Sequence, residues 1–199
     1  YNLQLAMHAI GDRANDLLAT CYLAVKEKMP NCPCRHRIEH FILPTFKAIR
    51  NAKKAGALIC VQPAFDYFWG GKNRLYEARL GRERALKANP YKTLINSGLK
   101  LAGGSDSPVT PINPILGIHA LVNHSNLDER LNLNTALALF IANAHEFSGE
   151  SGHRGFLRKG FHCDFICLSK DPFKCKEKKL KNIKVNEFYL RGNLIYSRG

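Results

Sequence analysis

The chain has no apolar run of the roughly 20 residues needed to cross a bilayer, which excludes a helical membrane span. Its opening stretch, YNLQLAMHAIGD, lacks an initiator Met and lacks a charged region followed by a long apolar one. A signal peptide is therefore not expected there, and the stretch reads as the interior of a longer protein. No Gly-rich loop enters a helix in the manner of a phosphate-binding loop; Gly103-Gly104 is instead expected to allow close approach at a strand end. Cys32-Pro33-Cys34 has no second Cys/His pair at zinc-site spacing, which argues against a structural zinc knuckle.

Acidic residues are scarce: 16 against 30 basic ones, for a net charge of +14. Such an excess invites a nucleic-acid reading. Much of it, however, sits in KCKEKKLKNIK (Lys174 to Lys184), with no aromatic stacking platform beside it. A solvated Lys-rich loop is the expectation, with neither nucleic acid nor membrane as partner. The seven cysteines are an odd number, and Cys21, Cys60, Cys163 and Cys167 fall in apolar segments. They are expected as reduced core thiols in a cytoplasmic protein.

Strands and helices take turns along the first three quarters of the chain. Leu3 to His8, His36 to His40, Ala57 to Gln62 and Leu99 to Gly104 read as strands. Asp12 is placed as an N-cap, before a helix whose apolar face is Ala14, Leu17, Leu18, Cys21, Tyr22 and Val25. Further helices are predicted from Pro44 to Ala55, Pro90 to Ser97, Pro114 to Asn123 and Asn134 to Phe147. The segment from Phe65 to Asn89 is too long for a plain connector and reads as a functional loop. From Gly149 onward, alternating short runs separated by turns indicate a second, β-rich module.

Three polar residues end apolar strands: His8, His40 and Asp106. Their N and O donors suit Zn²⁺, Fe²⁺ or Mn²⁺. Alternating strands and helices with polar residues where strands run into loops describe a (β/α) barrel with its site at the C-terminal mouth. On the first strand, Leu3, Leu5 and Met7 should face the helices while Gln4, Ala6 and His8 face inward. With His40 inward on the second, Arg37 and Glu39 would face the helix layer, where they either pair with each other or mark a bend.

HAIGDRA (His8 to Ala14), HRIEH (His36 to His40), VQP (Val61 to Pro63), LGRER (Leu80 to Arg84), GSDSPV (Gly104 to Val109) and NPILGI (Asn113 to Ile118) occur in that order, before GFLRKGFHCDFICLSKDPF. Together these resemble the amidohydrolase superfamily, specifically the amidohydrolase-3 group that includes N-substituted formamide deformylases. The resemblance implies an α/β fold: the C-terminal half of a TIM-type (β/α)8 metal-dependent hydrolase barrel in residues 1–148, and part of a small β-sandwich module in 149–199. It implies that His8 and His40 end barrel strands five and six and bind a divalent metal, zinc above all. Asp106 would end strand eight, bind the companion metal and move protons in hydrolysis of a non-peptide amide-type C–N bond. Gln62 and Arg82 would touch the small-molecule substrate. The family's His-x-His pair on strand one and its bridging ligand on strand four are absent from these residues. The missing N-terminal half is thus an implied partner, and the 199 residues alone are expected to be inactive and either poorly soluble or homo-oligomeric. A truncated inactive remnant, or a basic nucleic-acid-binding module, are the alternative readings.

Overall fold

A computed structural model describes residues 3–199; Tyr1 and Asn2 lie outside the described residues. Four parallel strands lie side by side in chain order: β1 (Ala6–Ile10), β2 (Arg37–Ile42), β3 (Leu58–Val61) and β4 (Lys100–Gly103). Helices α1 (Asp12–Lys28) and α2 (Phe46–Ala55) connect the first three strands. Between β3 and β4 come α3 (Ala64–Trp69), α4 (Leu75–Leu80), α5 (Arg82–Leu86) and α6 (Tyr91–Asn96). After β4 come α7 (Pro114–Val122), α8 (Leu133–Phe140) and α9 (Ala142–Phe147). The chain ends in a three-stranded antiparallel sheet of β5 (Phe165–Leu168), β6 (Val185–Leu190) and β7 (Asn193–Ser197).

Local chemistry explains several boundaries. The Thr45 side chain accepts a hydrogen bond from Ala48 N at 3.0 Å, satisfying a donor that the first turn of α2 leaves open. Gly56, at φ 68°, closes the same helix in the left-handed conformation that costs glycine least.

The parallel register sorts side chains by face. Met7, Ile38, Ile59 and Leu101 form one row across the four strands, and His8, Glu39, Cys60 and Ala102 form the next. Alternate residues of a strand point to opposite faces, so these two rows lie on opposite sides. Ile38, Ile59 and Leu101 are buried with Leu18, Ala19, Ala48, Leu94, Leu121 and Leu139, so the first row meets the helices. The second row lines the other face. Leu3, Leu5 and Met7 are 66%, 52% and 48% exposed, since β1 is the sheet edge and no element covers them there.

The structure revises several expectations. Gly11 rather than Asp12 takes the N-cap of α1; Asp12 sits in the first turn, 3.2 Å from the Arg84 guanidinium. The buried face of α1 is Asn15, Leu18, Ala19 and Tyr22, whereas Leu17, Cys21 and Val25 are exposed. The 65–89 segment contains three short helices rather than an irregular loop, and the helix expected over 134–147 breaks at Ile141. The thiols are not core groups: Cys21 and Cys163 are exposed and the other five only partly covered. The Lys-rich stretch forms a 3-10 turn at Glu177–Asn182, and Leu180 and Ile183 enter the main core at 2% and 5% exposure.

Phe140 explains two glycines. A Cβ at Gly103 would lie 2.5 Å from the Phe140 ring, and one at Gly117 would collide with the same ring. Forcing extra methyls into packed sites costs about 1–3 kcal/mol. Gly117→Ala is therefore expected to lower stability in denaturant by that order, and Phe140→Leu in the same chain to recover part of it. An unchanged unfolding midpoint for Gly117→Ala would show that this packing does not matter.

Candidate metal centre

His8, in the middle of β1, lies on the face opposite the main helix layer, which Phe147 of α9 covers at Leu58 and Ala102. His40 should not join it. His40 pairs with Ala9, which is buried in the helix-side core, and strict alternation would turn its imidazole that way. A bend overrides the pleat. His40 and Phe41 have φ of 73° and 54°, and the β1–β2 register shifts at the same point, between Ala9 and Ile10. The two imidazole centroids end 4.6 Å apart at an interplanar angle of 70°.

Positive φ is uncommon for such residues, and a sparsely populated backbone costs on the order of 1–3 kcal/mol where the surroundings must hold it. The holding contacts are visible. Ile42 O accepts from Gly11 N at 2.9 Å and from Asn15 Nδ2 at 2.7 Å, tying the end of β2 to the start of α1. Asn15 is fully buried.

Arg37 and Glu39 were expected toward the helices. They lie on the opposite face instead, and both sequence alternatives are realised: Arg37 Nε meets Glu39 Oε1 at 2.9 Å, and the strand bends directly after them. An ion pair is more easily accommodated on that less covered face than among the apolar side chains under the helices.

His40 is 7% exposed, and its Nδ1 has no hydrogen-bond partner among the described residues. Burial first, and then the neighbouring His8, push its pKa below the ordinary imidazole value, while the Asp106 carboxylate opposes them. The neutral ring that results has a nitrogen lone pair to offer. Phe65 stacks on the His40 ring at 5.7 Å and 24°, and Trp69 backs Phe65 at 4.6 Å. Gln62 follows β3 and is 5% exposed; its Nε2 donates to Cys60 O at 3.3 Å, while its Oε1 has no partner among the described residues. Asp106 stands three residues beyond β4, exposed and also left-handed at φ 56°.

The structure thus brings His8, His40 and Gln62 to one end of the sheet, with the Asp106 charge acting on His40. Among the described residues, no three His, Cys, Asp or Glu side chains come close enough together to hold a metal ion. Arg82 begins α5, exposed, with no hydrogen bond or ion pair among the described residues. The sequence did not single out Phe65, Asn15 or Cys60 for this site. Phe65 had a weak signal, three residues after Gln62, whereas Asn15 acts through a carbonyl 27 residues away that no local pattern reveals.

Cys60 stands beside Glu39 and Ala102 in the same row, near the two histidines but chemically quiet. Burial above all, then Glu39, push its thiol up to about 12. The thiolate is the reactive species, so iodoacetamide near pH 8 is expected to label exposed Cys21 and Cys163 and to leave Cys60 unmodified. Peptide mass spectrometry reads this directly; Cys60 labelled as fast as Cys21 would mean the thiol is neither covered nor suppressed.

Residues 1–196 match the model of the Amidohydrolase family. A Bacillus subtilis protein named as an amidohydrolase, YtcJ, is 30% identical over 98% of this chain and 38% of its own length. The N-substituted formamide deformylase of Arthrobacter pascens is 25% identical over 98% of this chain and 37% of its length. The crystal structure of an uncharacterized metal-dependent hydrolase from Pyrococcus horikoshii superposes with a TM-score of 0.72 at 30% identity, covering 88% of this chain and 35% of that one. The chain spans well under half the length of the proteins it matches, and it belongs to the amidohydrolase family.

Proposed function

We propose that this chain is the C-terminal half of a metal-dependent amidohydrolase acting on a non-peptide, amide-type C–N bond. One observation carries the reading: two imidazoles converge at the C-terminal end of a parallel sheet, and one of them is buried with an unpartnered nitrogen. Buried polar atoms without partners are rare in folded proteins and call for a ligand or a water. A neutral His pair fits two positions of a divalent-metal shell, zinc being the ion most often held this way. The shell is incomplete in these residues, and the remaining ligands belong to the segment that completes the sheet.

When bound, a divalent ion supplies Lewis-acid polarisation of a carbonyl and brings the pKa of water down toward about 7. The other roles would fall to side chains of these residues. His8 and His40 would hold the ion, with Phe65 fixing the His40 ring from behind. Asp106, exposed at the mouth and acting electrostatically on His40, would take a proton from water and return it to the leaving amine. Gln62, buried and acting on the His40 ring, would contact the substrate. Arg82 would reach the substrate only from the rim.

In this reading residues 1–148 form strands five to eight of a TIM-type barrel with their helices, and residues 149–199 belong to a composite β domain. The open β1 edge and exposed Leu3, Leu5 and Met7 would be covered by the upstream strands. A sheet edge carries unpaired backbone groups that closure of a barrel removes.

In the full-length protein, Asp106→Asn should fold normally and lower turnover on an N-formyl amine by roughly 10²–10⁴-fold, the usual contribution of general acid–base catalysis. His8→Ala and His40→Ala should instead lower metal content, measured by elemental analysis, together with activity. Wild-type turnover in Asp106→Asn would remove the proton-transfer role. Full metal content in both histidine variants would remove the ligand role.

A further inference from the structure

The Lys-rich stretch is the strongest charge feature of the sequence, and hydrolysis does not use it. Leu180 and Ile183 are buried in the core, so the backbone that carries the neighbouring exposed lysines is anchored. Lys178 and Lys181 line a cleft of about 440 Å³ whose wall also includes Arg74, Arg130, His119 and Asn123. That volume lies within the range of about 300–1,000 Å³ occupied by small-molecule sites.

The charges in this cleft are unbalanced. Arg74 Nη1 donates to Tyr67 O at 2.5 Å, Arg130 Nε to His124 O at 3.1 Å, and Lys181 Nζ to the Tyr67 hydroxyl at 2.9 Å. Those bonds fix the side chains through neutral acceptors and leave other N–H donors uncommitted. None of Arg74, Arg130, Lys178 and Lys181 forms an ion pair among the described residues. Asp66 is the one carboxylate on the wall, 4% exposed. Ser125 engages both of its oxygens, through N at 2.8 Å and Oγ at 2.6 Å. Four like charges gathered around one concavity repel one another unless an anion enters, and two guanidinium groups beside two ammonium groups suit a dianionic oxyanion.

We propose that this cleft binds a small anionic ligand through a phosphate group. A nucleic-acid strand is the less favoured occupant: the Tyr67 ring already meets Phe68 at 5.1 Å and His119 at 5.6 Å, so it is not an open platform for base stacking. The cleft is separate from the two histidines but shares a helix with their support. Phe65, which stacks on His40, and Asp66, on the cleft wall, are consecutive residues of α3.

The test is calorimetric titration of the full-length protein with inorganic phosphate, with glycerol 3-phosphate and with a single-stranded RNA oligonucleotide. Saturable one-site binding of phosphate is expected. Lys178→Gln/Lys181→Gln should weaken it by about tenfold or more, the loss of charge-assisted hydrogen bonds. Lys54→Gln/Lys159→Gln removes the same charge at exposed positions outside the cleft wall and should leave binding unchanged. Tighter binding of the ester than of free phosphate identifies a phosphorylated small molecule; equal affinity identifies phosphate itself. Absence of saturable phosphate binding, equal weakening by both double variants, or RNA binding tighter than either phosphate with a steep salt dependence would each overturn the proposal.

Discussion

A parallel strand commits alternate residues to opposite faces, and the candidate site depends on one place where that commitment is broken. His8 obeys the pleat and His40 does not. The left-handed backbone at His40 and Phe41 turns the second imidazole out of the helix-side core and toward the first. The strain is sustained by the burial around it and by Gly11 and Asn15 gripping the carbonyl of Ile42. Asp106 has the same kind of backbone just beyond β4, at the same end of the sheet but at its opposite edge. Strained conformations at strand ends are a common property of functional sites, because only a rigid scaffold can hold them.

That scaffold is one-sided. The row from Met7 to Leu101 faces a dense helix layer, and the row from His8 to Ala102 faces away from it, carrying the Arg37–Glu39 ion pair and Cys60. A face that holds an ion pair and two imidazoles cannot be an ordinary apolar core, since unpaired polar groups are costly to bury. The helix side therefore carries the packed core, and the other side carries the polar groups of the candidate site. The β1 edge is open, and Leu3, Leu5 and Met7 beside it are exposed.

The basic surface has a second organisation. Apolar anchors at Leu180 and Ile183 fold the backbone of the Lys-rich run onto the core while its lysines stay exposed. Charge counted along the chain therefore misleads here, since what matters is which cations lack carboxylate partners and share a concavity.

The sequence by itself determined the order of strands and helices, the family, and which residues could serve as metal donors. Those properties are local or are carried by motifs: apolar periodicity, prolines at helix starts, and histidines at the ends of apolar runs. Only the tertiary structure decided which way those residues point. The facing of Arg37, Glu39 and His40 depends on a bend held by Asn15, from a different element. The exposure of Leu17 and Cys21 depends on whether any neighbour covers α1. The breaks within 65–89, by contrast, fall at Gly70 and Gly81, which are local signals. For the bend, the deciding contact joins residues 27 apart in the chain, and a pattern read along one segment contains no term for it.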